Sequence, residues 1–178
     1  MLRAACSVAV WAVAAFGLAG PAAAASVTVT MHAITAEGVG PAIGTVTIAD
    51  SPEGARFTTD VSGLPPGAHG FHVHENPNCG PGQRDGQKVA GLAAGGHWDP
   101  ERSGRHEGPQ GTGHLGDLPV LEVAADGTAK RTLVAPRLRD VSALRGRSLM
   151  IHAGGDNYAD TPQPLGGGGA RIACGVIQ

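Results

Sequence analysis

Short apolar and β-branched runs recur along most of the chain: SVTVTMHAI, IGTVTIAD, ARFTTDVS, HGFHVH, LPVLEVA, AKRTLVAP and SLMIHAG. Gly, Pro, Asp or Asn bounds each of them. Branched side chains fit a pleated surface and lose freedom in a helix, so runs of this length between turn residues read as antiparallel strands. LPVLEVA and AKRTLVAP flank Asp126-Gly127, a hairpin signal because both turn positions tolerate positive φ. No ten-residue amphipathic helix is present, and VSALRG suffices for a single turn. Two stretches rich in Gly and Pro, from Asn76 to Leu118 and from Gly154 to Ala170, are too long for simple connections. The expected architecture is all-β, an antiparallel β-sandwich or flattened barrel with two long loops over one face.

Residues 1–25, MLRAACSVAVWAVAAFGLAGPAAAA, place Arg3 before an apolar run and end in small residues. This is the pattern of a secretory signal peptide, with cleavage expected near Ala25. Gly17, Gly20 and Pro21 break the run before it reaches the length of a membrane span, so no stable membrane insertion is expected. Residues 26–178 then form one domain, exported to the periplasm or beyond. Cys6 leaves with the leader, and Cys79 and Cys174 remain in a compartment where disulfides persist. They are expected to pair. Closing a loop of about 100 residues restricts the unfolded chain by roughly 4–5 kcal/mol in the chain-entropy model. The formal charge is −2, and −3 once the +1 of Arg3 is removed. That balance argues against a nucleic-acid or polybasic membrane partner and favours a small molecule or ion.

Six of the eight histidines fall into a pattern. His72 and His74 in FHVHE are two apart, so on a strand they share a face while Val73 turns inward. His97 in AGGHWDP, His106 in GRHEGP, and His114 and Asp117 in GHLGDLP lie in the first long loop. His152 in SLMIHAG sits on a later strand. A mixed imidazole and carboxylate set suits zinc, and a four-imidazole set suits copper. Residue types alone therefore permit two metal sites. They leave open which loop histidine serves which site and whether one is shared.

HGFHVHENPNCG, AGGHWDP, GHLGDLP and GGGGARIACGVI together, in this order, resemble the bacterial Cu,Zn superoxide dismutases across nearly all of residues 26–178. The resemblance implies a Greek-key, immunoglobulin-like fold with one copper and one zinc per subunit. By it, His72, His74 and His152 are copper ligands and His97 bridges copper to zinc. His106, His114 and Asp117 complete a closed tetrahedral zinc site. Asp156 would hydrogen-bond His72 and His106, and Arg171 would hold an anion beside copper. His97 would relay a proton, and the Cys79–Cys174 bond would tie the first loop to the strand of Cys174. Arg84 and Lys88 would add to anion steering.

His69 matches a position that holds loop backbone, and His32 has no assigned role. Trp98 is open between core, subunit interface and exposed surface. Gly166 to Gly169 allow a tight loop before Arg171 and lack the Lys-Ser or Lys-Thr of a phosphate-binding loop.

The implied activity converts superoxide anion to dioxygen and hydrogen peroxide by alternating reduction and reoxidation of copper. It would protect exported proteins and the cell envelope, in a monomer or homodimer. One rival is a periplasmic copper and zinc binding or buffering protein without turnover. Arg171 and Asp156 weigh against it, since a buffer needs no anion-holding arginine. A zinc hydrolase would keep three protein ligands and a water, and four zinc-ligand candidates weigh against that.

Overall fold

In the computed structural model, which describes residues 25–178, eleven strands follow one another. They are β1 (Ser26–Thr35), β2 (Gly38–Ala49), β3 (Ala55–Val61), β4 (Gly67–His69), β5 (Phe71–His74), β6 (Gly82–Arg84), β7 (Gln87–Val89), β8 (Leu121–Val123), β9 (Ala129–Ala135), β10 (Arg147–His152) and β11 (Arg171–Ile177). The leader in residues 1–25 lies outside the described residues except for Ala25. Among the described residues the helical elements are three 3₁₀ turns: Leu92–Ala94, Val141–Leu144 and Pro164–Gly167. The second is the turn expected from VSALRG, and Asp140 caps it by accepting a hydrogen bond from the Ser142 N–H at 2.8 Å. No described helix is long and apolar enough to cross a membrane.

Period-two alternation organises the sheet. Val27, Val29 and Met31 of β1 are buried between exposed threonines, and Ala55, Phe57, Thr59 and Val61 of β3 repeat the pattern. The main sheet has seven antiparallel strands in the order β5-β10-β11-β1-β2-β3-β9, curled around the core. A β4-β8 pair faces it, and β6-β7 forms a separate small hairpin. After β3 the chain crosses to the far edge before β9 returns beside β3, the long connection of a Greek key. Phe57 and Phe71 meet edge-to-face at 5.9 Å in this core, which also holds Ile48, Leu121, Leu149 and Ile151.

The Asp126-Gly127 turn forms, with Gly127 at φ +80° and the Ala124 N–H donating to the Thr128 carbonyl at 2.8 Å. Asp126 keeps an ordinary negative φ and accepts from the Thr128 N–H and hydroxyl at 3.0 and 2.7 Å. Beyond the turn the two strands part company. β8 pairs with β4 and β9 with β3, so the turn links two ladders rather than closing one hairpin. The reason is burial: Leu121 and Val123 are needed under the core, while β9 completes the edge beside β3.

Cys79 and Cys174 are bonded, with Cα atoms 5.7 Å apart. They lie on the outer face of the sheet with Ile34, Met150 and Ala94 in a second apolar cluster. This cluster pins the start of the first loop beside β11.

Candidate metal centre

β5 is buried on both faces. Phe71 and Val73 enter the core, and His72 and His74 point the other way beneath the two long loops. The backbone of Val73 draws the first loop in: its N–H donates to Gly116 O at 2.8 Å, and its carbonyl accepts from the Trp98 N–H at 2.8 Å. Those bonds place Asp117 opposite His72 and His97 opposite His74. On the other side β10 pairs Met150 with His72 and Ser148 with His74, so His152 continues the same face. Local sequence supplies the side chains, and two backbone bonds at one valine bring three chain segments together.

His72, His74, His97 and His152 offer four ring nitrogens that all lie within 4.8 Å of one another. In all four rings the second nitrogen is occupied, that of His97 by Asp117. His74 Nδ1 donates to Gly95 O at 3.0 Å, His152 Nδ1 to Gly169 O at 3.2 Å, and His72 Nε2 to Asp156 Oδ2 at 2.8 Å. These acceptors fix the tautomers, leaving His72 Nδ1, His74 Nε2 and His152 Nε2 as inward lone pairs. His72 Nδ1 and His97 Nε2 are buried with no hydrogen-bond partner. His74 Nε2 and His152 Nε2 stand 3.3 Å apart, lone pair against lone pair. Such an arrangement is costly in the protein alone and favourable around a cation. An all-imidazole set of this kind fits copper.

A second group, His72, His97, His106 and Asp117, shares an edge with the first. His97 Nδ1 donates to Asp117 Oδ1 at 3.0 Å, and His106 Nδ1 lies 2.9 Å from Asp117 Oδ2 but off the line of a hydrogen bond. His114 Nδ1 is 3.5 Å from Asp117 Oδ1 and is also unpartnered. His114, which the sequence pattern places with this group, falls outside the tight cluster and is joined to it through Asp117. Two orphaned buried nitrogens around one carboxylate fit zinc, which takes imidazole and carboxylate in a tetrahedron.

Asp156 joins the groups: Oδ2 meets His72 Nε2 at 2.8 Å and Oδ1 meets His106 Nε2 at 2.7 Å, with all three side chains fully buried. Burial pushes the pKa of His74 and His152 well below the usual histidine value and that of His97 down to about 3; His72 is lowered by burial despite Asp156. These rings are neutral at physiological pH, the form that binds metal. Burial works against the charge on Asp117 and Asp156, yet their contacts with His106 and the neighbouring rings hold both below the usual carboxylate range. Burial also opposes a charged His106, but Asp117 and Asp156 outweigh it and raise that ring to about 9.

Arg171 sits across the β10–β11 ladder from His152, half-buried. It donates to Gly91 O at 2.6 Å and Gly95 O at 2.7 Å. Burial, and then repulsion from Arg84, lowers its pKa. Arg84 and Lys88 are exposed on the β6-β7 hairpin. His69 donates to no metal group: its ring contacts His152 O at 2.6 Å and Pro65 O at 2.8 Å, bracing backbone. His32 lies on β1 against Gly40 O at 3.1 Å, outside both groups. Trp98 is a core residue, 8% exposed, capped by the Arg147 guanidinium 4.5 Å from its ring.

Sequence reasoning missed how the glycine run works. A side chain at Gly166 would strike Asp156 and come within 2.8 Å of His106 Nε2, and one at Gly168 would meet His152 at 3.2 Å. The glycines let backbone close directly over the metal groups. It also missed the carbonyls of Gly91, Gly95 and Gly169, which no residue-type pattern marks.

The copper/zinc superoxide dismutase (SODC) family matches residues 42–177. Superoxide dismutase [Cu-Zn] of Brucella abortus is 54% identical over 161 residues, covering 90% of this chain and 93% of that protein. The solved structure of the Cu/Zn superoxide dismutase from Brucella abortus superposes with a TM-score of 0.86 at 54% identity, covering 86% of this chain and all of the other. The solution structure of the monomeric copper, zinc superoxide dismutase from Salmonella enterica gives 0.78 at 56% identity, covering 86% and 100%. With a matching fold, a matching length and two metal-binding groups in one loop-covered face, the chain belongs to the copper/zinc superoxide dismutase family.

Proposed function

We propose that this chain is an exported superoxide dismutase in which His72, His74, His97 and His152 hold copper and His97, His106, His114 and Asp117 hold zinc. Two superoxide anions and two protons become dioxygen and hydrogen peroxide. Copper supplies the one-electron chemistry by cycling between Cu(II) and Cu(I). The observation that carries the assignment is the first group: four converging ring nitrogens, each with the opposite nitrogen tied to a carbonyl or carboxylate.

The chain's own residues divide the remaining tasks. Gly95 O and Gly169 O orient His74 and His152, and Asp156 orients His72 and His106 together. Arg171, held by two carbonyls, offers a fixed positive group that attracts and orients a small anion. His97 faces both groups and would serve as proton relay: whenever its Nε2 is not holding copper, that nitrogen would take up a proton and pass it on to the product. The zinc-side residues keep His97 in place rather than binding substrate.

Residues 1–25 are the leader and residues 26–178 the working domain in the periplasm. The Cys79–Cys174 bond agrees with an oxidising compartment. The two groups are built from a single chain, so monomer and homodimer are equally compatible with the chemistry. The test is removal and return of copper at constant zinc while superoxide-driven dye reduction is followed. Loss and recovery of inhibition with copper supports the dismutase. Full copper retention without inhibition would leave a metal-buffering protein instead.

A further inference from the structure

His106 and His114 lie in a stretch without regular secondary structure, so something outside it must fix their rings. The stretch closes on itself, the His114 N–H donating to Arg105 O at 2.8 Å. Gly113 packs so closely on the Arg105 carbonyl that a side chain there would collide with it. The two ring-bearing residues are thereby neighbours in space.

Two charged side chains from other parts of the fold then grip this closed loop by its backbone. Arg137, in the turn after β9, donates through Nη1 to Gly113 O at 3.0 Å and His114 O at 3.2 Å. Asp160, at the surface of the second long loop, accepts from the His106 N–H through Oδ2 at 3.0 Å. Its Oδ1 accepts from the Leu165 N–H at 3.2 Å, beside the glycine run that covers Asp156. A guanidinium holds the carbonyl end and a carboxylate the amide end. Neither makes a hydrogen bond to the His106 or His114 ring. We infer that Arg137 and Asp160 are positioning residues that clamp residues 105–114 from outside and set the His106 and His114 rings for zinc. The inference rests on the proposed assignment of those rings as zinc ligands.

Outer contacts of metal ligands are worth about 10- to 100-fold in affinity, and contacts acting through backbone belong at the lower end. Mature, disulfide-bonded protein is titrated with zinc against a chromophoric chelator, with the cobalt(II) visible spectrum reporting tetrahedral geometry. Arg137→Ala should raise the zinc dissociation constant about 10-fold and weaken the cobalt bands. Arg137→Lys keeps the charge without the rigid fork and should lie between. Asp160→Asn retains one acceptor oxygen and should cost about 3-fold, below the range for a whole lost partner. These two conservative variants carry the test if Arg137→Ala folds poorly.

The copper(II) absorption should be unchanged in all three. Dissociation constants within twofold of the parent, or equal losses of melting temperature with and without zinc at unchanged affinity, would overturn the clamp. His114→Ala is the control for the underlying assignment. If it binds zinc normally, the ligand assignment fails; if it loses zinc while the Arg137 and Asp160 variants do not, only the clamp fails.

Discussion

His74 and Arg171 meet at one atom: the carbonyl oxygen of Gly95 accepts from His74 Nδ1 at 3.0 Å and from Arg171 Nη2 at 2.7 Å. The ring of the copper-side group and the proposed anion-holding guanidinium are therefore set by the same backbone group. A shift of Gly95 would disturb both.

Replacing Arg171 tests the second half of that relationship. Arg171→Ala should lower the superoxide rate constant about 10-fold and flatten its decline with salt, because the fixed positive charge is gone. Copper content, measured by atomic absorption, should stay at the parent level. Arg171→Lys restores charge but not the fork across Gly91 and Gly95, so the rate should recover only in part. An unchanged salt dependence in Arg171→Ala would remove this residue from the mechanism.

Asp156→Ala leaves His72 Nε2 and His106 Nε2 buried without an acceptor. Both metals should bind about 10- to 100-fold more weakly, measured by chelator competition, because the rings lose their orientation. Asp156→Asn offers one acceptor oxygen and should rescue one ring at best.

Cys79→Ser releases the start of the first loop from β11. Stability should fall by roughly 2–5 kcal/mol in denaturant titrations. Metal retention should loosen before the rate per bound copper changes, since the disulfide touches the loop and not the ligand rings. Parent-like stability and copper affinity would contradict this.

The metal-stripped protein should show a distinct pH response at His106, whose pKa is raised to about 9. A group raised on folding contributes stability that is complete below its unfolded value of about 6.5 and is lost as pH rises through the folded value. Stripped protein should therefore weaken between pH ~6.5 and about 9, and His106→Gln should remove that contribution. Zinc takes the place of the proton, so zinc binding near neutral pH should release it. Calorimetric enthalpies in buffers of different ionisation heat would detect the release. Buffer-independent enthalpies would contradict it.

The strands were legible because β-branched runs between turn residues leave few alternatives, and HxH on a strand puts both rings on one face whatever the rest does. The six histidines and Asp117 singled out by type gather on one loop-covered face, His72, His74 and His152 from β5 and β10 and the other four from the first long loop. Other features carry no residue-type signal. Gly95 acts through its carbonyl, and Gly166 through the absence of a side chain against Asp156, which only the tertiary fold reveals. The Asp126-Gly127 signal identified a turn correctly, but which partner each strand then chooses is decided by burial at a distance. The sequence leaves Trp98 open for the same reason: its place under Arg147 depends on where β10 runs.

We propose that this chain turns over superoxide at copper held by His72, His74, His97 and His152. Pulse radiolysis of the mature, disulfide-bonded protein, with zinc constant and copper varied from none to one per chain, tests it most directly. Superoxide decay should accelerate in proportion to bound copper and slow as salt is added. Decay independent of copper in fully loaded protein would contradict the account.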